Sequence, residues 1–227
     1  MHQIQGRAPA VAACGVETGS LGKIARDISL LMQTEVGEAS EPAGDGRGGS
    51  STMPQKRNPV GCSLALAAAN RVPGLVSAFL SGMVQEHERG VGGPQAEWSA
   101  VSAIIGSFGL ALSSMAEVAE GLEVNVARMR DNIEATRGVI FAERVMMKLG
   151  AKIGRDVAHK LMEKAVERSV AGNRRLVDAL AEMPEVTSHL TAMEIREMDL
   201  PESYLGEAEW FRKKLVSSPR KNSRNKE

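Results

Sequence analysis

A chain of 227 residues is long enough for one large domain or two smaller ones. Its hydrophobic share of 43% and charged share of 25% are ordinary for a globular protein, and a formal net charge of zero removes any global pull towards nucleic acid or anionic lipid. Aromatic residues make up only 3% against 12 methionines, so the core must be built from Ala, Leu, Val, Ile and Met, a composition that favours helices over a sheet sandwich. Cys14 and Cys62 offer neither a disulfide framework nor a metal spacing, and each lies in an apolar helical pattern as a small hydrophobe. His2, His87, His159 and His189 show no metal-ligand spacing, so no metal is expected.

Residues 1–15 carry little pattern, and Pro9 reads as a breaker. From Gly19 onward Leu21, Ile24, Ile28, Leu31 and Val36 recur at helical spacing, which predicts a helix from about residue 10 or 15 to 39, closed by Glu35-Val36-Gly37-Glu38. A loop over 42–59 follows. It holds the glycine run Gly44-Asp45-Gly46-Arg47-Gly48-Gly49 and then Ser50-Ser51-Thr52-Met53-Pro54-Gln55-Lys56-Arg57-Asn58-Pro59. Glycines free the backbone and bare its N–H groups, two serines follow, and a lysine adds a fixed cation; such a set suits an anionic substrate and a developing negative charge. Gly44, Gly46 and Gly49 also satisfy G-x-G-x-x-G, but a dinucleotide site needs a strand before the motif, and a helical pattern stands there instead.

A second helix is predicted from near Pro59, with Leu64, Ala68, Val72, Leu75, Phe79 and Met83 on its buried face and a kink at Pro73. Residues 60–84 are the most apolar of the chain, yet Asn70, Arg71 and Pro73 interrupt them, which argues against a membrane span. With no secretory pattern, a reducing cytoplasm is the expected setting. After the polar break Gln85-Glu86-His87-Glu88-Arg89-Gly90, a third helix shows a heptad seam: Trp98, Val101, Ile105, Phe108, Leu112, Met115, Ala119 and Leu122, widened by Ile104, Ala111 and Val118. A seam of that length suits a multi-helix bundle or a subunit interface.

Beyond Gly121 the helical patterns shorten, to about 125–131, 134–149, 154–171 and 173–182, then 185–197 and 204–216 after the Met183-Pro184 break. Ala158, Leu161, Met162, Ala165 and Val166 form an apolar stripe, with Glu163, Lys164, Glu167 and Arg168 towards solvent. The expected organisation is an all-α chain: a partial helix-bundle domain over 1–122 and a C-terminal helical domain over 123–216. A disordered basic tail over 217–227 carries Arg220, Lys221, Arg224 and Lys226, with no interleaved aromatic residue to read nucleic acid.

The run from Ser50 to Pro59 resembles the signature of the fumarase/aspartase superfamily, S-S-x-M-P-x-K-x-N-P. Glu35-Val36-Gly37-Glu38, Glu41-Pro42-Ala43-Gly44, Glu86-His87-Glu88-Arg89-Gly90, Gln95-Ala96-Glu97-Trp98 and Tyr204-Leu205-Gly206 are together similar to its bacterial 3-carboxy-cis,cis-muconate cycloisomerases; adenylosuccinate lyases share the signature and a His-Glu-Arg stretch. The resemblance covers about residues 15–216. It implies all-α homotetramers whose central domains form one helix bundle, a small polycarboxylate substrate, and no cofactor or metal. It implies Ser50 as the base or acid at carbon, Lys56 as the cation that stabilises an enolate-like dianion, and Asn58 as a carboxylate ligand. Gly49 and Ser51 are candidate donors to substrate, Ser51 equally a loop hydrogen bond. Arg89 is a candidate carboxylate ligand or a partner of Glu86 or Glu88. Arg57 reads as a solvated or intersubunit charge and His87 as structural. The glycine-rich loop is expected to close over substrate. Family members carry about as much sequence again before the region that matches residue 15. The expectation is therefore a C-terminal portion, with a missing N-terminal half as a partner, and the rival reading is a non-catalytic helical oligomerisation module.

Overall fold

The computed structural model describes residues 2–42, 48–49, 53, 56–84 and 90–217. Contacts divide the chain into two compact units, Met1–Arg130 and Asp131–Glu227. Both are helical, and the strands among the described residues are two residues long.

The first unit is three long helices packed on one another: α1 (His2–Leu31), α2 (Val60–Ser81) and α3 (Gly93–Glu120). Helix α1 begins earlier than its sequence pattern predicts and runs through Pro9. A mid-helix proline forfeits one backbone bond, but here Ala8 and Val11 on either side of it pack with Val72, Phe79, Ala100 and Ile104 in one of the unit's two cores. The helix also ends sooner, at Leu31 rather than 39. Gly37 takes φ +62 and its N–H bonds the Gln33 carbonyl at 2.7 Å, so the chain reverses there; Glu38 then donates back to Leu31 at 2.9 Å. The second core gathers Ala25, Ile28, Cys62, Ala65, Ala68, Ala111, Met115 and Val118. Small residues let α1 and α2 approach closely: a methyl added at Gly22 would sit 2.4 Å from the Ala69 Cβ.

The face of α3 is rotated from the one expected, whereas that of α2 holds over most of its length. On α2, Ala68, Val72 and Phe79 are buried as expected and Leu75 is half-buried, with Gly61, Cys62 and Ala65 buried beside them; Leu64 is exposed, and Met83 lies past the end of the helix, also exposed. On α3 the residues that widen the seam are the ones covered: Ile104, Ala111 and Val118 are 0% exposed. Of the seam itself only Met115 is buried, while Trp98 is 67%, Ile105 59% and Leu112 48% exposed. The narrow stripe of Ala100, Ala111 and Ser114 is the one that admits two neighbouring helices at close range, and it leaves the bulkier stripe beside it uncovered. By length and composition both α2 and α3 could cross a membrane, with mean hydropathy of 1.3 and 1.5 in their most apolar windows.

After α1 the chain lays down β1 (Ala39–Ser40), which pairs antiparallel with β2 (Glu123–Val124), Ala39 opposite Val124 and Ser40 opposite Glu123. Helix α4 (Val126–Ala135) opens on Asn125, whose side chain accepts the Arg128 N–H at 3.0 Å. The Arg128 guanidinium reaches back to the carbonyls of Val36 at 3.0 Å and Glu35 at 2.7 Å, tying the turn after α1 to the start of α4.

In the second unit α5 (Ala142–Ile153), α6 (Arg155–Ala171), α7 (Leu176–Ala181), α8 (Pro184–Thr187) and α9 (Ala192–Glu197) enclose Val145, Leu149, Leu161, Met162, Leu180, Met183 and Ile195. The stripe expected on α6 is buried at Ala158, Leu161, Met162 and Ala165, and Val166 packs at its edge. The single helix expected over 134–149 is broken, because Arg137 and Gly138 take φ 52 and 82. Arg175 ties the end of α4 to the turn after α9, through Glu134 at 2.5 Å and Asp199 at 2.6 Å. Helix α10 (Ala208–Ser217) closes the described chain; the basic tail from residue 218 lies outside the described residues.

Candidate active site

The signature loop leaves the first unit at Glu41-Pro42 and re-enters it at Asn58-Pro59. Its neck is closed by an Asn58 N–H that donates to the Gly48 carbonyl at 2.8 Å. Gly48 has φ +68, and a Cβ there would stand 3.1 Å from the Asn58 carbonyl oxygen, so both conformation and space call for glycine. Lys56 donates its N–H to the Met53 carbonyl at 3.0 Å.

The first amides of α2 face the other side of this neck. Val60 donates to Asn58 at 2.9 Å and Ser63 makes the first intrahelical bond, to Pro59, at 2.9 Å. The two donors between them have no backbone partner, and the Glu41 carboxylate takes both: Gly61 N–H to Oε2 at 2.9 Å and Cys62 N–H to Oε1 at 2.8 Å. Glu41 is 4% exposed. Its charge sits at the positive end of the α2 dipole, where an anion is favoured. The Cys62 thiol, 0% exposed, is pushed up to about 12 by its burial and then by the hydrogen bond and charge of Glu41, so it stays a neutral packing group.

Beside this neck lies an open cleft of about 760 Å³. Ser29, Gln33 and Thr34 line it from α1 and the turn that follows, Ser40 from β1, and Met53, Lys56 and Arg57 from the loop. Lys56 is exposed and Asn58 half-buried. Arg57 is not a bare charge: it pairs with Glu123 at 2.8 Å across β1 and β2, and Ser40 Oγ donates to the same carboxylate oxygen at 3.2 Å. That pair braces the rim, and Lys56 lines the same cleft. Gly49 is exposed, and among the described residues none crowds it. Ser50, Ser51 and Arg89 lie outside the described residues. Among the described residues no three His, Cys, Asp or Glu side chains come together as a metal site would need.

Reading along the sequence finds Lys56 and Asn58 because they belong to one contiguous run. Glu41 escapes it, since the amides it serves are 20 positions downstream. The residue type was legible, an acid beside a proline ahead of a glycine run, but its partner was not.

A lyase family model matches residues 5–74, and a model described as the adenylosuccinate lyase C-terminus matches residues 138–214. The chain belongs to the fumarase/aspartase superfamily of lyases. A relative named 3-carboxy-cis,cis-muconate cycloisomerase, from Bradyrhizobium diazoefficiens, is 44% identical over 211 residues, which are 93% of this chain and 47% of that protein. A protein of the same name from Pseudomonas putida is 49% identical over 181 residues, 80% of this chain and 43% of that one. The crystal structure of a 3-carboxy-cis,cis-muconate lactonizing enzyme from Pseudomonas putida matches with a TM-score of 0.81 at 43% identity, over 92% of this chain and 46% of that one. The chain thus spans less than half the length of these relatives.

Proposed function

We propose that this chain carries the signature-loop portion of a 3-carboxy-cis,cis-muconate cycloisomerase, an enzyme of the protocatechuate branch of the β-ketoadipate pathway. The observation that supports it most is identity of 44% running through both units of the chain, signature loop included. In the proposed reaction a carboxylate oxygen of the tricarboxylate diene adds to a double bond within the same molecule. One C–O bond forms, the electron pair moves onto the neighbouring carbon and its carboxylate, and that carbon then takes a proton to give the lactone. Ser50 handles the proton at carbon, and Lys56 stabilises the enolate-like dianion. Asn58, Ser51, Arg89 and the Gly49 N–H bind carboxylates. No cofactor enters the scheme. A serine hydroxyl works as an acid or base only with donors and a cation close by and water excluded, which a glycine-rich lid over the Lys56 cleft would supply.

The exposed stripe of Trp98, Ile105 and Leu112 belongs to the same reading. An apolar face this long on a helix of 28 residues needs a cover, and we assign that cover to further copies of the chain in a cytoplasmic tetramer. Lipid fits less well, because Asn70 and Arg71 are exposed in the middle of α2.

A second reading is an elimination of the adenylosuccinate lyase type, favoured by the family model that matches residues 138–214. The test is loss of ultraviolet absorbance from 3-carboxy-cis,cis-muconate with the folded chain, alone and mixed with the N-terminal segment of a relative. Absorbance loss is the expected result. Cleavage of adenylosuccinate in its place gives the lyase, and a folded mixture inert towards both gives a helical scaffold without catalysis.

A further inference from the structure

Glu41 belongs to no part of the signature, yet it is anchored on both sides and through its carboxylate. On its N-terminal side Ala39 and Ser40 are held in the β1–β2 pair. On its C-terminal side Pro42 packs on the end of α3 so closely that a methyl at Gly121 would stand 2.6 Å from the Pro42 Cβ. Between these two anchors the carboxylate is buried and spends its two oxygens on two consecutive amides, Gly61 and Cys62. The loop's exit from the fold and its return to it therefore meet at one side chain.

We propose that Glu41 is the positioning residue of the signature loop. It is not a catalytic residue, since it lies behind the neck and its oxygens are taken by α2. It sets where α2 begins, and through Asn58 and Pro59 it sets the height and angle at which the loop delivers Lys56 to the cleft. A neutral cap would not serve equally well. Each oxygen accepts one N–H, and the carboxylate complements the helix dipole, whereas Gln at this position would turn an NH2 group against one of the two amides. This inference rests on the reading of Lys56 as the cation of the reaction, and two separate measurements keep the two apart.

The first measurement is amide hydrogen exchange, resolved by residue, on the folded chain and on Glu41→Gln. A cap that merely starts the helix predicts faster exchange at Gly61 and Cys62 alone. A positioning residue predicts that Lys56 and Asn58, whose N–H groups bond Met53 and Gly48, also exchange faster, each by about tenfold, while Ala68 in mid-helix does not change. The second is turnover of 3-carboxy-cis,cis-muconate under whatever conditions the unaltered chain consumes it. Glu41→Gln is expected to lower kcat roughly tenfold or more with KM within about twofold. Ile104→Val, which thins the other core of the unit and lowers its melting temperature, should leave kcat in place. Exchange changes confined to Gly61 and Cys62 overturn the proposal, and so does a kcat loss no larger than that of Ile104→Val. If the unaltered chain consumes no muconate, the functional reading has failed, and exchange at Lys56 and Asn58 alone decides the role of Glu41.

Discussion

Lys56 and Gly48 show how differently two residues of one loop are constrained. Lys56 is exposed at the edge of a cleft, and the neighbouring Arg57 is committed to Glu123. Lys56→Met removes charge without opening a cavity, so the melting temperature should hold while turnover falls by a factor of about 100 or more. Parallel thermal melts and the muconate absorbance assay check this, and full activity in the variant would remove Lys56 from the mechanism. Gly48 carries a backbone demand instead. With φ +68 and the Asn58 carbonyl 3.1 Å from any added Cβ, Gly48→Ala should cost about 1–2 kcal/mol. Gly49→Ala, at a position that none of the described residues crowds, should cost a few tenths of a kcal/mol at most. Denaturant titration of the two variants reads the difference. In the sequence these adjacent glycines look alike, and only the returning strand of the loop separates them.

At the level of elements, period was legible and partners were not. The repeat of α3 and the stripe of α6 stand out because apolar residues recur every three or four positions. The face of α3 that the chain itself covers does not, since both of its stripes are apolar and the choice falls to whichever lets α1 and α2 come close. Arg128 reaching carbonyls 92 and 93 positions away, like the β1–β2 pair, depends on the turn at Gly37, which no periodicity announces. Helix α9 is the opposite case, because its start is written locally. Thr191 Oγ1 accepts the Glu194 N–H at 3.2 Å, and the Glu194 carboxylate takes the Thr191 N–H at 2.8 Å. The Thr191 N–H and then the Thr191 hydroxyl draw Glu194 down from 4.5 to about 2, with Lys148 assisting. A folded-state value below the unfolded one means that the unfolded chain binds more protons in that window. This box therefore stabilises the second unit fully above pH 4.5, and the contribution is lost as pH falls towards 2. Glu194→Gln, which keeps an acceptor for the Thr191 N–H but cannot titrate, should flatten the acid limb of a stability-versus-pH curve between those values and leave the neutral-to-alkaline limb parallel to the original. An unchanged acid slope would mean that Glu194 is not held by the box.

For the whole molecule, the question is what covers α3. Its intrachain face buries Ala100, Ile104, Ala111, Ser114, Met115 and Val118, and the adjacent face presents Trp98, Ile105 and Leu112 to the outside. Burying a large side chain contributes about 1.5–3 kcal/mol, so a seam of several such residues, repeated on every copy, is enough to drive association. A symmetric pairing of helices would lay the same seam against itself, with each residue used twice. The substitutions that test this belong at the centre of the stripe. Ile105→Lys and Leu112→Lys place charges on positions that are already exposed in a single chain, so each copy should fold and melt much as before. In an assembly the same lysines would meet at short range in an apolar seam, where unpaired charge is costly. Light scattering on the unaltered chain is expected to report an oligomer, and the double variant a monomer with the same helical circular dichroism. A folded, unaltered chain that scatters as a monomer would show that the seam is covered by something other than this chain. The carboxylate ligands that the loop needs would then have to be supplied without neighbouring copies.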